Sequence, residues 1–384
     1  MYRELYSRFL KARPGVQHFA CHSHHYWPDV TREAALQSWD DSARLADDKW
    51  AYIFTEKVPE AQALIAANLN LRDPARIVFA PNTHEFVMRL LSCLDLGKER
   101  TILTTDSEFY SFERQVNRFA EQKNLRLEKV PVEPFATFHE RFAGRLRDLR
   151  PDLVFFSQVF FNSGLVADAE ELSRRAAETG ALTVVDAYHG FMAVPTDLST
   201  WDPRVFYLSG SYKYAQGGEG CCFLVVPGDS RERPLYTGWF AELSHLENHD
   251  GGGVAYPQGA LRFAGSTMDF TALYRLSAVL RLFRERGLSV EVIHRHIQKQ
   301  QALFLRELDL LQSPVLNRKN LIMSEGSDHG HFLTFQLPSV EATERVSKTL
   351  RERGVLTDSR KDRLRFGFGL YHEGPYDLAP LRDL

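Results

Sequence analysis

Along the first seventy residues, apolar positions recur at helical spacing. Residues 31–49 read as an amphipathic helix that Thr31 is placed to cap, with Glu33 in its first turn, and a second helix is expected over residues 60–68. The period then changes. Short runs rich in β-branched and aromatic residues, at 76–80, 101–105, 152–157, 181–186, 204–208 and 222–226, alternate with helical stretches that begin near His84, Ser111 and Asp168. Alternating strands and helices predict an α/β protein with a mostly parallel sheet, its buried strands covered by helices on both faces.

A looser stretch from His245 to Pro257, carrying Gly251-Gly252-Gly253, interrupts the pattern, and two long helices are expected over 272–286 and 289–310. The chain closes on a β-α-β-β pattern over 331–337, 340–353, 355–358 and 363–368. This divides into an N-terminal arm (1–30), a large domain (31–257) and interdomain helices with a small α+β domain (258–384), which the arm is placed to join. A length of 384 residues suits more than one structural unit.

Composition narrows the function. With 44% hydrophobic and 25% charged residues the chain is neither disordered nor a coiled coil. The 47 basic and 50 acidic residues leave a net charge of −3 with no basic run, which argues against a nucleic-acid partner. No segment approaches the ~20 apolar residues of a membrane span, and the charged start is not expected to serve as a secretory signal. Cys21, Cys93, Cys221 and Cys222 form neither a zinc pattern nor a disulfide framework. A soluble protein of the reducing cytoplasm is expected.

The strongest chemical signal is Val184-Val185-Asp186-Ala187-Tyr188-His189, an acid at the end of an apolar strand, where α/β sheets meet their ligands. Lys213 follows another strand, in Ser211-Tyr212-Lys213-Tyr214, and is the only lysine between Lys129 and Lys299. Each has a bland reading, since a strand-end Asp often caps the next helix and a single Lys is usually solvated. Together they suggest more. A buried Asp can hold a pyridinium nitrogen protonated, and a desolvated Lys of lowered pKa can form a Schiff base.

These two segments resemble the pyridoxal-phosphate enzymes of the class V aminotransferase superfamily (fold type I), most closely the kynureninase branch. The resemblance implies a large domain built on a mostly parallel seven-stranded sheet, pyridoxal 5'-phosphate as cofactor, an α-amino acid as substrate, and a homodimer with shared active sites. Neither a metal nor a membrane partner is implied. Lys213 matches the Schiff-base lysine, Asp186 the acid at the ring nitrogen, and His189 a further cofactor contact. Pro81-Asn82-Thr83-His84-Glu85 resembles the phosphate-binding helix start, with Asn82 and Thr83 as ligands. In Glu108-Phe109-Tyr110-Ser111 the Phe109 ring matches the one that stacks on the pyridine, and Ser211 and Tyr212 match phosphate ligands.

Thr237-Gly238-Trp239-Phe240 resembles the family's Gly-Trp motif, and Thr267 in Leu261-Arg262-Phe263-Ala264-Gly265-Ser266-Thr267 matches the threonine that reaches the neighbouring subunit's phosphate. Arg365, in Leu364-Arg365-Phe366-Gly367, matches the clamp on the substrate carboxylate, a task suited to a bidentate guanidinium.

Departures from the family fall where substrate is chosen. Cys21-His22-Ser23-His24-His25 replaces a glycine-containing entrance segment, Glu242 stands where the family has an aryl-contacting histidine, and Tyr188 holds a place usually taken by a small residue. His24 or His25 is a candidate for substrate recognition or proton transfer. His22, His24 and His25 have metal-ligand chemistry but no carboxylate partner in the sequence, so no metal is assigned. His294-Arg295-His296 reads as solvated helix surface. No Cys follows Cys222, which counts against a desulfurase with its late catalytic Cys. The expected activity is kynureninase-like hydrolytic Cβ–Cγ cleavage of a kynurenine-type or modified amino acid; class V transamination, β-elimination and epimerisation are the alternatives.

Overall fold

Strands such as Leu153–Ser157 and Phe206–Gly210 are buried along their whole length, so each needs cover on both faces. The computed structural model, which describes residues 2–121, 124–248, 253–323 and 327–382, supplies that cover. Strand β1 (Gln17–His18) belongs to the N-terminal arm. The central sheet is made of β2 (Ile77–Ala80), β3 (Arg100–Thr105), β4 (Leu125–Val130), β5 (Leu153–Ser157), β6 (Leu182–Asp186), β7 (Phe206–Gly210) and β8 (Cys222–Val225). Its spatial order is β2-β8-β7-β6-β5-β3-β4, and only β8 runs against the rest. The C-terminal ends of the parallel strands therefore open on one edge, where the site lies.

The late strands β9 (Phe332–Gln336), β11 (Asp358–Arg360) and β12 (Arg363–Gly367) form an antiparallel sheet in the order β11-β12-β9. The two-residue strand β10 (Val355–Leu356) pairs in parallel with β1, so the arm is sewn onto the C-terminal region. Phe19 O also accepts the Gly367 N–H at 2.7 Å. Gly367 permits this approach, because a Cβ there would stand 2.3 Å from His22 Nδ1. The long helices Thr271–Glu285 and Val290–Leu311 follow the central sheet along the chain, the first packing on Val30–Leu45.

Several expectations change. The seventh strand, β4, escaped the apolar pattern because Leu-Arg-Leu-Glu-Lys-Val is an edge strand, with Arg126 exposed and Glu128 and Lys129 only partly covered. Thr31 does not cap its helix: the helix is Val30–Leu45, and the Thr31 hydroxyl donates back to Pro28 O at 2.8 Å. His294 and His296 are not solvated surface. The Val290–Leu311 helix turns them partly inward, with His294 Nδ1 2.8 Å from Ala193 O and His296 Nε2 3.2 Å from His372 O. Trp239–Asn248 forms 3-10 turns with a kink at Glu242, and residues 249–252 of the looser stretch lie outside the described residues.

Candidate active site

Five strand ends deliver the site. After β2, Asn82 starts the helix Thr83–Leu91, and its Oδ1 accepts the Glu85 N–H at 3.0 Å. The helix itself leaves the Thr83 and His84 N–H groups unbonded, at the positive end of its dipole. After β3 comes Phe109, at the start of the helix Tyr110–Ala120. Asp186 and Ser157 close β6 and β5 as register partners. The turn after β7 carries Tyr212 and Lys213. Asn82, Thr83, Phe109, Ser157, Asp186, His189, Tyr212 and Lys213 line one cavity of about 230 Å³.

The Lys213 ammonium donates to His22 O at 2.7 Å, a contact across 191 residues that puts the arm over the site. Desolvation, then the nearby Arg365 charge, lowers its pKa from the ordinary lysine range to about 7. At neutral pH much of it is a free amine, the form that attacks an aldehyde. Asp186 accepts the Tyr188 N–H through Oδ1 at 2.9 Å, and desolvation raises its pKa to about 6 despite that bond. The His189 ring is buried, and desolvation holds it well below the usual imidazole range, so it is neutral.

These residues fit pyridoxal phosphate. The lysine suits the aldehyde, the buried acid suits a protonated ring nitrogen, and the Phe109 face, 5.9 Å from Lys213 Nζ, suits the ring. The positive helix N-terminus with Thr83 suits the phosphate.

Other sequence candidates lie elsewhere. The Ser211 hydroxyl is buried and donates to Gly218 O at 2.5 Å, outside the cavity wall. Trp239 Nε1 donates to Thr267 Oγ1 at 3.2 Å, and both residues are exposed and away from the cavity of their own chain. His24 stands at the rim, with Nδ1 3.4 Å from the Tyr212 hydroxyl and 3.9 Å from a Glu219 carboxylate oxygen. His22 is buried against Phe332, and His25 is buried with Nδ1 on Tyr26 O, so the three histidines do not converge. Glu242 accepts the Ala255 N–H.

Arg365 departs furthest from its expected place. It is 2% exposed and does not line the cavity. One guanidinium nitrogen donates to Phe161 O, another pairs with Asp358, and Nε is buried without a partner. Burial lowers its pKa to about 10 even against the Asp358 charge. Asp358 also pairs with Arg360 at 2.8 Å, while His22 Nε2 stands off at 3.6 Å. Three arms of this cluster, Asp358, Arg360 and His22, were invisible as a set in the sequence.

The sequence reading also missed Ser157 and Glu108 as site residues, although Glu108 lies beside Phe109. Tyr188 does line the cavity. Its ring is accommodated by Gly210, where a Cβ would come within 2.9 Å of it.

The Aminotransferase class-V family model matches residues 37–359. Isopenicillin N epimerase of Streptomyces clavuligerus is 32% identical over 177 residues, 44% of each chain. Kynureninase of Geobacillus thermodenitrificans is 26% identical over 269 residues, 67% of this chain and 59% of that protein. The chain thus spans about half the length of these relatives. Among solved structures, the cystine C-S lyase C-DES with cysteine persulfide superposes with a TM-score of 0.77 at 20% identity, covering 94% of this chain and 95% of that one. A cysteine desulfurase from Thermococcus onnurineus superposes with a TM-score of 0.74 at 20% identity, covering 93% and 91%.

Proposed function

The chain belongs to the aminotransferase class-V family and is a pyridoxal-phosphate-dependent enzyme, and from that premise we propose that it acts on an α-amino acid by kynureninase-like hydrolysis of the Cβ–Cγ bond. The cofactor chemistry rests on Lys213 and Asp186 meeting in one cavity, the lysine lowered to a pKa of about 7 and the buried acid raised to about 6, and the hydrolytic branch rests on the hydrogen-bonded Trp239–Thr267 pair. When bound, the cofactor supplies an electron sink for the electrons left at Cα. Lys213 would hold the cofactor through its Nζ, and its free amine would be the base that takes the Cα proton. The Asp186 carboxylate stabilises a proton on the ring nitrogen. Phe109 and Tyr188 wall the site with aromatic surface, and water added to a γ-carbonyl would release alanine and a carboxylic acid.

The Ser211–Tyr214 and Trp239–Thr267 features support the kynureninase branch. The hydrogen-bonded, exposed Trp239–Thr267 pair, beside exposed Leu235, Tyr236 and Leu261, suits cover by a second copy that takes Trp239 and Thr267 towards its own phosphate site. We assign residues 31–257 to the cofactor domain and 258–384, joined by the arm, to the small domain. Among the described residues no helix is long and apolar enough to cross a membrane, and the four free cysteines suit a reducing cytoplasm.

Epimerisation is the second reading. His24 and Tyr212, in contact at the rim, offer a proton carrier besides Lys213, and isopenicillin N epimerase is among the relatives. Incubation of the cofactor-loaded protein with a panel of amino acids in D2O, with products read by mass and chirality, separates the two. Alanine plus a carboxylic acid from a γ-keto amino acid supports hydrolysis, and deuterated, inverted substrate supports epimerisation. No Cα exchange with any α-amino acid would sink both.

Arg365 keeps its proposed role as carboxylate receiver, by exchange against Asp358. Arg365→Ala is expected to raise KM on the order of tenfold to a hundredfold, the scale of a hydrogen bond to a charged group, with a smaller change in kcat. An unchanged KM would remove Arg365 from the substrate site.

A further inference from the structure

Glu108 sits in the turn after β3, 4% exposed, and takes no part in the chemistry above. Its Oε1 accepts the Thr105 hydroxyl at 2.5 Å and the Ser157 N–H at 3.2 Å, and its Oε2 lies 2.6 Å from Ser157 Oγ. No lysine, arginine or histidine pairs with it among the described residues. A second buried acid, Asp186, is close enough to repel its charge. On its outer side Glu108 borders a polar cavity where Arg360, Lys361 and Arg363 are answered by Asp106, Glu113, Glu133 and Asp362. No net positive field therefore rewards ionisation.

A carboxyl buried without a cation favours its neutral form. Desolvation is the main cause, with Asp186 adding to it against the hydrogen bonds, and together they push Glu108 up to about 8. The neutral acid has one proton to donate. Oε1 already receives two donors, so the proton sits on Oε2, whose neighbour is Ser157 Oγ. Ser157 then accepts from Glu108, and its own O–H is left to point elsewhere. Ser157 lines the cofactor cavity beside its register partner Asp186.

We propose that Glu108 is a positioning residue which, as a neutral acid, turns the Ser157 hydroxyl into a hydrogen-bond donor towards an acceptor of the bound cofactor. The inference rests on the cavity being the cofactor site. An ionised Glu108 would do the reverse, drawing the Ser157 proton to itself and presenting only lone pairs to the cavity.

Two measurements test this on the full chain. Infrared spectra of the cofactor-free protein at pH 7 are expected to show a protonated-carboxyl C=O band that Glu108→Gln removes. In the cofactor-loaded protein, Ser157→Ala is expected to shift the pH titration of the visible band by about one pH unit, the scale of a single hydrogen bond. Glu108→Ala should give the same shift, and the double variant no more. Glu108→Gln, whose amide still donates to Ser157, should titrate close to wild type. A missing protonated-carboxyl band, an unshifted Ser157→Ala titration, or a Glu108→Gln variant that behaves like Glu108→Ala would each overturn the proposal. If the wild type forms no visible band with pyridoxal phosphate, the cofactor reading falls and the donor role with it, and the infrared band still reports the Glu108 proton separately.

Discussion

Lys213→Ala is expected to yield a folded protein that no longer holds pyridoxal phosphate covalently. The visible band of the loaded protein disappears, borohydride fixes no cofactor, and kcat/KM falls by about 10²–10⁴-fold, the usual contribution of a positioned proton-transfer group. The fold should survive, because the side chain faces a cavity and the hydrogen bond it makes to His22 O joins the arm to the site without belonging to the core. The wild type adds a pH signature. Lys213 is lowered to about 7, so the free-amine fraction rises about tenfold per pH unit below that value and levels off above it. The rate of covalent cofactor capture should follow the same curve. Capture that keeps climbing to pH 10 would mean an ordinary solvated lysine, and a retained visible band in Lys213→Ala would mean that another lysine does the work.

Asp186→Asn separates charge from shape. Asn can still accept the Tyr188 N–H through its amide oxygen, so the turn that Asp186 now holds at 2.9 Å stays closed. What is lost is the negative charge. With a pKa of about 6, Asp186 is mostly ionised at pH 7.5, and in a desolvated cavity that charge stabilises a proton on the ring nitrogen far better than an amide does. The expected loss is about 10²–10³-fold in kcat, the scale seen when one preorganised electrostatic group is removed from an active site. Cofactor affinity should change less. An Asp186→Asn enzyme within threefold of wild type would show that the acid only shapes the turn.

The two residues behind these predictions were legible in the chain because their signals are local. Asp186 ends an apolar run, and Lys213 follows another such run in a long lysine-free stretch. Arg365 shows the limit of that kind of reading. Its motif marks it as a carboxylate clamp, yet the fold closes both of its terminal nitrogens on Phe161 O and Asp358. Nothing in the spacing of a motif states which acceptor a guanidinium meets first.

The sequence by itself determined the class of fold and the chemistry at its centre. Periodicity reports how much of each segment is buried, and a sheet buried on both faces writes itself as apolar runs. Tertiary structure alone decided whatever depended on partners far apart in the chain. The edge strand β4 was hidden because four of its six positions are not buried. Glu108 becomes a buried, neutral acid only because Ser157, 49 residues on, and Asp186 close over it. The arm reaches Lys213 only because β1 finds β10 at the other end of the chain. Burial and pKa are properties of the assembled neighbourhood. A residue's type and spacing can nominate it for a site, and only its desolvation and its partners fix the form in which it acts.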